Sequence, residues 1–176
     1  MSLSSVDFRQ MSPARLREEI SYMPQRCEIY YGTIAQNLRL VHPTASDVDL
    51  HWAAAQANVL DEILELEEGS GEWRRTGFEV RVSDAQADQM PNGFRQKLGL
   101  ARTLLKPAPL ILFDEPGNGL DPEGDAAFVN ALDVLREKST VFIVSHRPSH
   151  LKKADKIIYL EHGAIRAMGP YENDNM

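Results

Sequence analysis

Two carboxylates stand side by side at Asp114-Glu115, directly after the apolar run Leu110-Ile111-Leu112-Phe113. A run this short and this apolar reads as a strand buried on both faces. In a parallel sheet, ligands gather at the carboxyl ends of strands, so both acids should open into a cleft. One can hold Mg2+, which takes one or two carboxylates together with substrate phosphates. The other can orient or deprotonate an attacking water. The plainer alternative is a solvated turn after a core strand. A second run, Thr140-Val141-Phe142-Ile143-Val144, reads as another buried strand and leads into Ser145-His146. An imidazole there can meet a phosphate or a developing charge; a capping or surface histidine is the alternative. Gln25 follows Ile20-Ser21-Tyr22-Met23-Pro24, again a polar group just past a strand. Singly each signal is weak, but three polar groups at three strand ends form a constellation.

The elements that must position them follow from local rules. Ser12 caps a short helix over Pro13 to Glu19, with Leu16 facing inward. Thr33 caps a helical turn that runs to Leu38. Ser46 with Asp49 forms a weakened capping box for a helix continued by Trp52, Ala55 and Val59. Leu60, Ile63 and Leu64 mark a second helical stretch. The acidic, aperiodic stretch from Glu67 to Gln89 reads as loop, with a short strand at Phe78 to Val82. Phe94, Leu98, Ala101, Leu104 and Leu105 then mark a strongly amphipathic helix that stops before Pro107. Phe128, Leu132 and Leu135 face inward from a helix between the two buried strands. A short helix near Pro148 to Lys153 leads to strands at Ile157-Leu160 and Ala164-Ala167. Strands alternating with helices predict an α/β fold with a mostly parallel sheet, and an all-helical insertion fills the middle.

Composition narrows the class. The chain has 176 residues, 43% hydrophobic and 26% charged, which suits one domain with a subdomain and excludes disorder, collagen and coiled coil. A formal net charge of −7 argues against a nucleic-acid surface over most of the chain. The single Cys27 makes no internal disulfide and reads as a buried or half-buried thiol. No apolar run reaches membrane-spanning length. Met1-Ser2-Leu3 looks like a leader, with order starting near Val6. Trp52 and Trp73 read as packing residues. The remaining histidines lack metal-ligand spacing, and Lys152, Lys153 and Lys156 read as a solvated helix face.

The order of motifs resembles the nucleotide-binding domain of ABC transporters. It is carried by Tyr22-Met23-Pro24-Gln25, Gly32-Thr33-Ile34-Ala35-Gln36-Asn37-Leu38, Arg95-Gln96-Lys97-Leu98-Gly99-Leu100-Ala101-Arg102, Leu110 to Pro116, Gly119-Leu120-Asp121 and Val144-Ser145-His146-Arg147. The resemblance covers Val6 to Pro170. Gly32 to Leu38 looks like the exporter branch. Asp121-Pro122-Glu123-Gly124-Asp125 and His146-Arg147-Pro148-Ser149 look most like the ATPases of type I protein or toxin secretion.

The resemblance implies a fold, a division of the chain and a set of roles. The fold is a partial RecA-like P-loop NTPase core with an inserted α-helical subdomain. The core would take residues 6–25 and 106–170, and the Q-loop and helical subdomain 26–105, with a leader at 1–5 and a tail at 171–176. Gln25 matches the Q-loop glutamine that reaches Mg2+ and the attacking water, and Asp114 the Walker B aspartate supporting Mg2+. Glu115 matches the catalytic base, His146 the H-loop histidine on the γ-phosphate, and Asp121 the D-loop aspartate linking two sites. The implied cofactors are ATP and Mg2+. The implied partners are a second nucleotide-binding domain, a transmembrane domain and, for type I secretion, a periplasmic adaptor and an outer-membrane channel, with no nucleic acid. The location implied is the cytoplasmic face of the inner or plasma membrane.

Two departures stand out. No G-x-x-x-x-G-K-[ST] occurs in the chain, and that loop supplies backbone N–H groups, a Lys and a hydroxyl to the phosphates. The resemblance therefore implies a segment without its phosphate loop, poor in ATP affinity, inactive by itself, and with an open edge in its sheet. The signature stretch is also degenerate, falling on Met90-Pro91-Asn92-Gly93-Phe94. Pro91 has neither hydroxyl nor N–H to offer a γ-phosphate, although it begins a helix well. An intact Glu115 beside a weak signature suits one half of an asymmetric heterodimer. Two rivals remain at this point: an ABC-type ATPase acting on DNA or ribosomes, and a non-catalytic pseudo-ATPase interaction module.

Overall fold

The computed structural model describes residues 2–3 and 6–171. The expected leader is in part a strand: β1 (Ser2–Leu3) pairs antiparallel with β2 (Val6–Asp7). The expected tail beyond Tyr171 lies outside the described residues. Helix α1 (Pro13–Glu19) starts at Ser12, whose Oγ accepts the Arg15 N–H at 3.3 Å. It runs straight into β3 (Ile20–Met23).

The middle region begins with β4 (Gly32–Thr33) and α2 (Ile34–Arg39). Thr33 and Gln36 cap α2 reciprocally, at 3.0 and 2.8 Å. Helix α3 (Asp47–Gln56) carries the full box between Ser46 and Asp49, and α4 (Leu60–Leu64) follows. Such boxes form because side chain and backbone lie within one turn, so little ordering entropy opposes them. The inward face of α3 is Leu50, Ala53 and Ala54. Trp52 and Ala55 lie on its exposed face; Trp52, 46% exposed, is only partly covered, and Trp73, 80% exposed, does not take the packing role expected of it.

The acidic stretch is more ordered than its composition suggests. β5 (Glu67–Glu68) pairs with β6 (Arg75–Thr76), and β7 (Arg81–Val82) pairs back to β4. A 3-10 turn occupies Gly77–Glu79, so the strand expected from Phe78 shrinks to β7. The Glu68 carboxylate accepts the Arg81 N–H at 2.9 Å, tying the two pairs together. Then α5 (Asp84–Gln89) begins at a Ser83–Gln86 box. The middle is therefore not all helical, since these short strands are paired across long loops.

Helix α6 (Asn92–Leu105) is the spine of the molecule, with Phe94, Leu98, Ala101, Leu104 and Leu105 buried. Burying each large apolar side chain stabilises by about 1.5–3 kcal/mol. After it come β8 (Leu110–Asp114), α7 (Pro122–Leu135) and β9 (Thr140–Val144). Helix α8 (Pro148–Leu151) precedes β10 (Ile157–Glu161) and β11 (Ala164–Gly169).

The main sheet is parallel, in the order β3-β8-β9. It is an α/β arrangement with helices packed on it, as the alternation implied. Phe113 of β8 meets Phe128 of α7 edge to face, with centroids 5.0 Å apart. That geometry adds about 1 kcal/mol beyond burial. Two expectations change. Only Ile111 and Phe113 of β8 are fully buried, and β9 has an exposed face with Phe142 at 51% and Val144 at 61%. Neither strand is buried on both faces, because one face of the sheet is uncovered at β9 and only partly covered at β8. The β10-β11 hairpin forms a separate antiparallel pair. No helix among the described residues is long and apolar enough to cross a membrane.

Candidate active site

Parallel pairing of β8 with β9 puts Asp114 opposite Val144, so both strands release their polar residues at the same edge. The Glu115 N–H still donates to the Val144 carbonyl at 2.9 Å. The chain then turns sharply, with Glu115 at φ 47°. A left-handed conformation costs a side-chain-bearing residue about 1–2 kcal/mol, and such strain gathers where geometry serves a site. The turn is closed by Asn118 N–H to the Glu115 carbonyl at 3.1 Å. In consequence the Glu115 carboxylate faces His146, whose Nδ1 lies 3.1 Å from Oε2 and 3.3 Å from Oε1. The carboxylate is largely covered and the imidazole is 81% exposed.

Asp114 is half-buried, and Tyr22 of β3 donates its hydroxyl to Oδ2 at 3.4 Å. Sequence reasoning missed Tyr22; its place one strand over, near the carboxyl end of β3, was the available signal. Gln25 is exposed, and the hydrogen bond that fixes it runs from the Gln96 amide to its backbone carbonyl. Gln96 is fully buried in α6, so the loop after β3 is tied to the signature helix. Cys27 lies beside it, with Sγ 3.5 Å from the Gln96 Oε1. Burial pushes the thiol up to about 11.

Asp121 caps α7, its Oδ1 accepting the Gly124 N–H at 2.7 Å. That bond, with the nearby Lys97 ammonium, holds its carboxyl below the usual range against the cost of burial. Lys97 is buried on α6 and lies 3.4 Å from Asp121 Oδ2 and 2.7 Å from Glu62 Oε1. Lys97 was also missed; it appeared only within the signature-helix motif.

The stretch expected to match the signature, Met90 to Phe94, leads into α6. Pro91 sits at the cap position with no side-chain capping bond. The Asn92 Nδ2 donates to the Asn118 carbonyl at 3.2 Å. A Cβ on Gly93 would fall 2.7 Å from the Gly119 carbonyl oxygen, so only glycine permits this approach. Asn92 and Gly93 therefore rest on the turn that follows Glu115. The Phe94 side chain is 5% exposed and packs in the core.

Asp114, Glu115 and His146 thus share one strand-end edge, with Tyr22 beside them, while Asp121, Asn92 and Gly93 gather round the following turn. Among the described residues no three His, Cys, Asp or Glu side chains cluster to hold a metal. Asp114, at the end of β8, suits an ion that takes its remaining ligands from phosphates and water, while the Gln25 side chain is exposed and no contact joins it to Asp114 among the described residues. A cavity of about 330 Å³ opens elsewhere, beside Tyr22, Met23, Cys27, Gly99, Arg102 and Lys106, and does not include Glu115 or His146.

Comparison with known proteins bears on the fold and the family. Residues 38–151 match the family model described as "AAA domain, putative AbiEii toxin, Type IV TA system". The chain is 33% identical over 170 residues to a beta-(1-->2)glucan export ATP-binding/permease protein of Agrobacterium vitis, covering 97% of this chain and 28% of the relative. It is 31% identical over 174 residues to a mitochondrial potassium channel ATP-binding subunit of Xenopus tropicalis, covering 98% of this chain and 24% of that one. A bacterial Atm1-family ABC exporter solved with ATP bound superposes with a TM-score of 0.80 at 25% identity, over 94% of this chain and 27% of that chain. The chain therefore spans about a quarter of the length of the relatives it matches. With the AAA-domain match over most of its length, the chain belongs to the AAA-type ATPase domains, and the relatives that match nearly all of it are ABC exporter and other ATP-binding proteins.

Proposed function

We propose that the chain is the water-activating part of an ABC exporter ATPase, and that the whole protein couples ATP hydrolysis to export of a polypeptide. The observation that carries the catalytic part is the Glu115–His146 contact at 3.1 Å, beside Asp114 at the same edge. Glu115 orients and deprotonates the attacking water, and His146 holds Glu115 and the transferred phosphoryl group in register. Asp114 and Gln25 would hold Mg2+, which would neutralise phosphate charge. Asp121 links this site to that of a second nucleotide-binding domain. Pro91, Asn92 and Gly93 form a weak signature, so the chain serves the stronger site of an asymmetric pair through Glu115.

The 176 residues contain no phosphate loop, so the phosphate cradle is supplied by other residues of the exporter. Its transmembrane domain, on the same polypeptide or another, places this segment at the cytoplasmic face of the membrane. A periplasmic adaptor and an outer-membrane channel complete the type I reading. That reading is supported by the motifs from Asp121 to Asp125 and from His146 to Ser149. A second cargo class, an oligosaccharide, is favoured by relatives whose names specify glucan export.

The test is ATPase activity of the exporter reconstituted in vesicles, with Glu115→Gln beside wild type. The expected result is a loss of turnover of at least a hundredfold with Mg-ATP binding retained. Unchanged turnover would overturn the role of Glu115. Stimulation by a secreted polypeptide supports the first cargo class, and stimulation by a β-glucan alone replaces it with the second.

A further inference from the structure

A second polar cluster lies behind the exposed pair. Asp125 of α7, with 16% of its side chain exposed, accepts three hydrogen bonds. They come from Arg147 Nη1 at 2.6 Å, Ser149 Oγ at 2.8 Å and His150 Nε2 at 3.0 Å. His150 has no exposed side-chain surface and packs on Phe128, with ring centroids 4.7 Å apart. Its Nδ1 lies 2.8 Å from Ser145 Oγ, and that oxygen also accepts the Arg147 N–H at 3.2 Å. The turn after Glu115 is fitted against the same cluster. A Cβ on Gly117 would fall 2.6 Å from Arg147 Nε and 2.9 Å from His150 Cε1.

The chemistry of the groups gives the cluster one direction. An ionised Asp125 only accepts, so His150 carries its proton on Nε2. Its Nδ1 then accepts from the Ser145 hydroxyl, and the Ser145 oxygen accepts from the Arg147 backbone. Burial pushes the His150 imidazole below its usual value against the pull of Asp125, which agrees with a neutral ring. Three donors likewise hold Asp125 below the usual carboxylate range although burial opposes them.

His146 stands between Ser145 and Arg147, and both of these are bound into the cluster. Its own ring is 81% exposed, so packing does little to aim it. We propose that Asp125 and His150 are positioning residues that, through Ser145 and Arg147, fix the backbone on both sides of His146 and so aim its ring at Glu115. This rests on the ATPase reading for its purpose, while the geometry can be read without nucleotide. The anchor also joins α7, α8 and the turn after Glu115 into one unit, so the residues next to Asp121 and those next to His146 share a support.

The experiment is ring nitrogen–proton correlation NMR on the 176-residue chain at pH 7.5, without nucleotide, for wild type, Asp125→Asn, Ser145→Ala and Asp133→Asn. Asp133→Asn breaks a separate tie, from Lys153 Nζ just past α8 to Asp133 of α7 at 2.5 Å, and serves as the control. The expected result is His150 protonated on Nε2 alone, and a His146–Glu115 contact that is lost in Asp125→Asn and weakened in Ser145→Ala. The contact survives in Asp133→Asn. A His150 protonated on Nδ1, or an unchanged His146–Glu115 contact in folded Asp125→Asn, overturns the proposal. If Asp125→Asn does not fold, Ser145→Ala decides it, since removing one half-buried hydroxyl leaves no unpaired charge. Because the readout needs no ATP, a failed ATPase reading and a failed anchor give different results.

Discussion

Lys97 donates its ammonium to Glu62 at 2.7 Å, joining the signature helix to α4. Only 7% of the Lys97 side chain is exposed, and Asp121 completes the clasp at 3.4 Å. Burial opposes the charge, but the two carboxylates outweigh it and raise the Lys97 pKa. The contribution of the clasp is thus fully present below the ordinary lysine value of about 10.4 and is lost as pH rises through the raised one.

Lys97→Met is expected to cost about 1–2 kcal/mol at pH 7, since Glu62 and Asp121 are each about half exposed and keep their hydration. Urea unfolding midpoints check this. Equal midpoints for the two proteins would mean that the clasp contributes nothing to stability.

Gly99 and Cys27 are packed too closely for any side chain to intervene. A Cβ at Gly99 would fall 2.2 Å from Cys27 Sγ and 3.2 Å from its Cβ. Gly99→Ala is expected to destabilise by about 1–3 kcal/mol through overpacking. Adding Cys27→Ala removes the sulfur and should recover much of that loss. A double-mutant cycle with no coupling would contradict the assigned clash.

Acid stability should carry a limb from His150. Burial holds its folded pKa below 6.5, so the unfolded chain takes up a proton first as pH falls. Stability is therefore full above about pH 6.5 and declines as pH drops from there to the folded value. Unfolding midpoints at pH 7.5 and 5.5 should differ less in His150→Gln than in wild type. An identical pH dependence would show that His150 titrates freely in the folded chain.

Among the described residues β9 is an edge of the sheet in the order β3-β8-β9, and one of its faces exposes Phe142 and Val144. Open apolar edges recruit further strands. Sedimentation velocity should show concentration-dependent association, reduced by Val144→Lys. A monomer at every concentration would place the association surface elsewhere or remove it.

Much was legible in the sequence because it is local. Ser12, Thr33 and Ser46 each cap a helix through a residue three positions later, so the chain's own spacing sets the contact. The stripe from Phe94 to Leu105 and the apolar runs before Asp114 and Ser145 likewise carry their burial or pairing in their periodicity. The Ser83–Gln86 box of α5 was equally local; an acidic, aperiodic background hid it. By contrast, β4 pairs with β7 from Thr33 to Arg81, and no short-range pattern announces a partner that far along the chain. Outward Trp52 and the uncovered face of β9 depend on which elements pack nearby, which residue type does not settle.

The constellation divides in the same way. Residue type and strand-end position alone selected Asp114, Glu115, His146 and Gln25. Tertiary structure alone brought His146 within 3.1 Å of Glu115, placed Tyr22 on Asp114, and folded Asp125, Ser145 and His150 together behind them. Parallel register decided the first two, since the ends of β3, β8 and β9 meet only when those strands pair in step. The third required α7 and α8 to pack side by side, where burial leaves Asp125 and His150 no partners but each other and their neighbours.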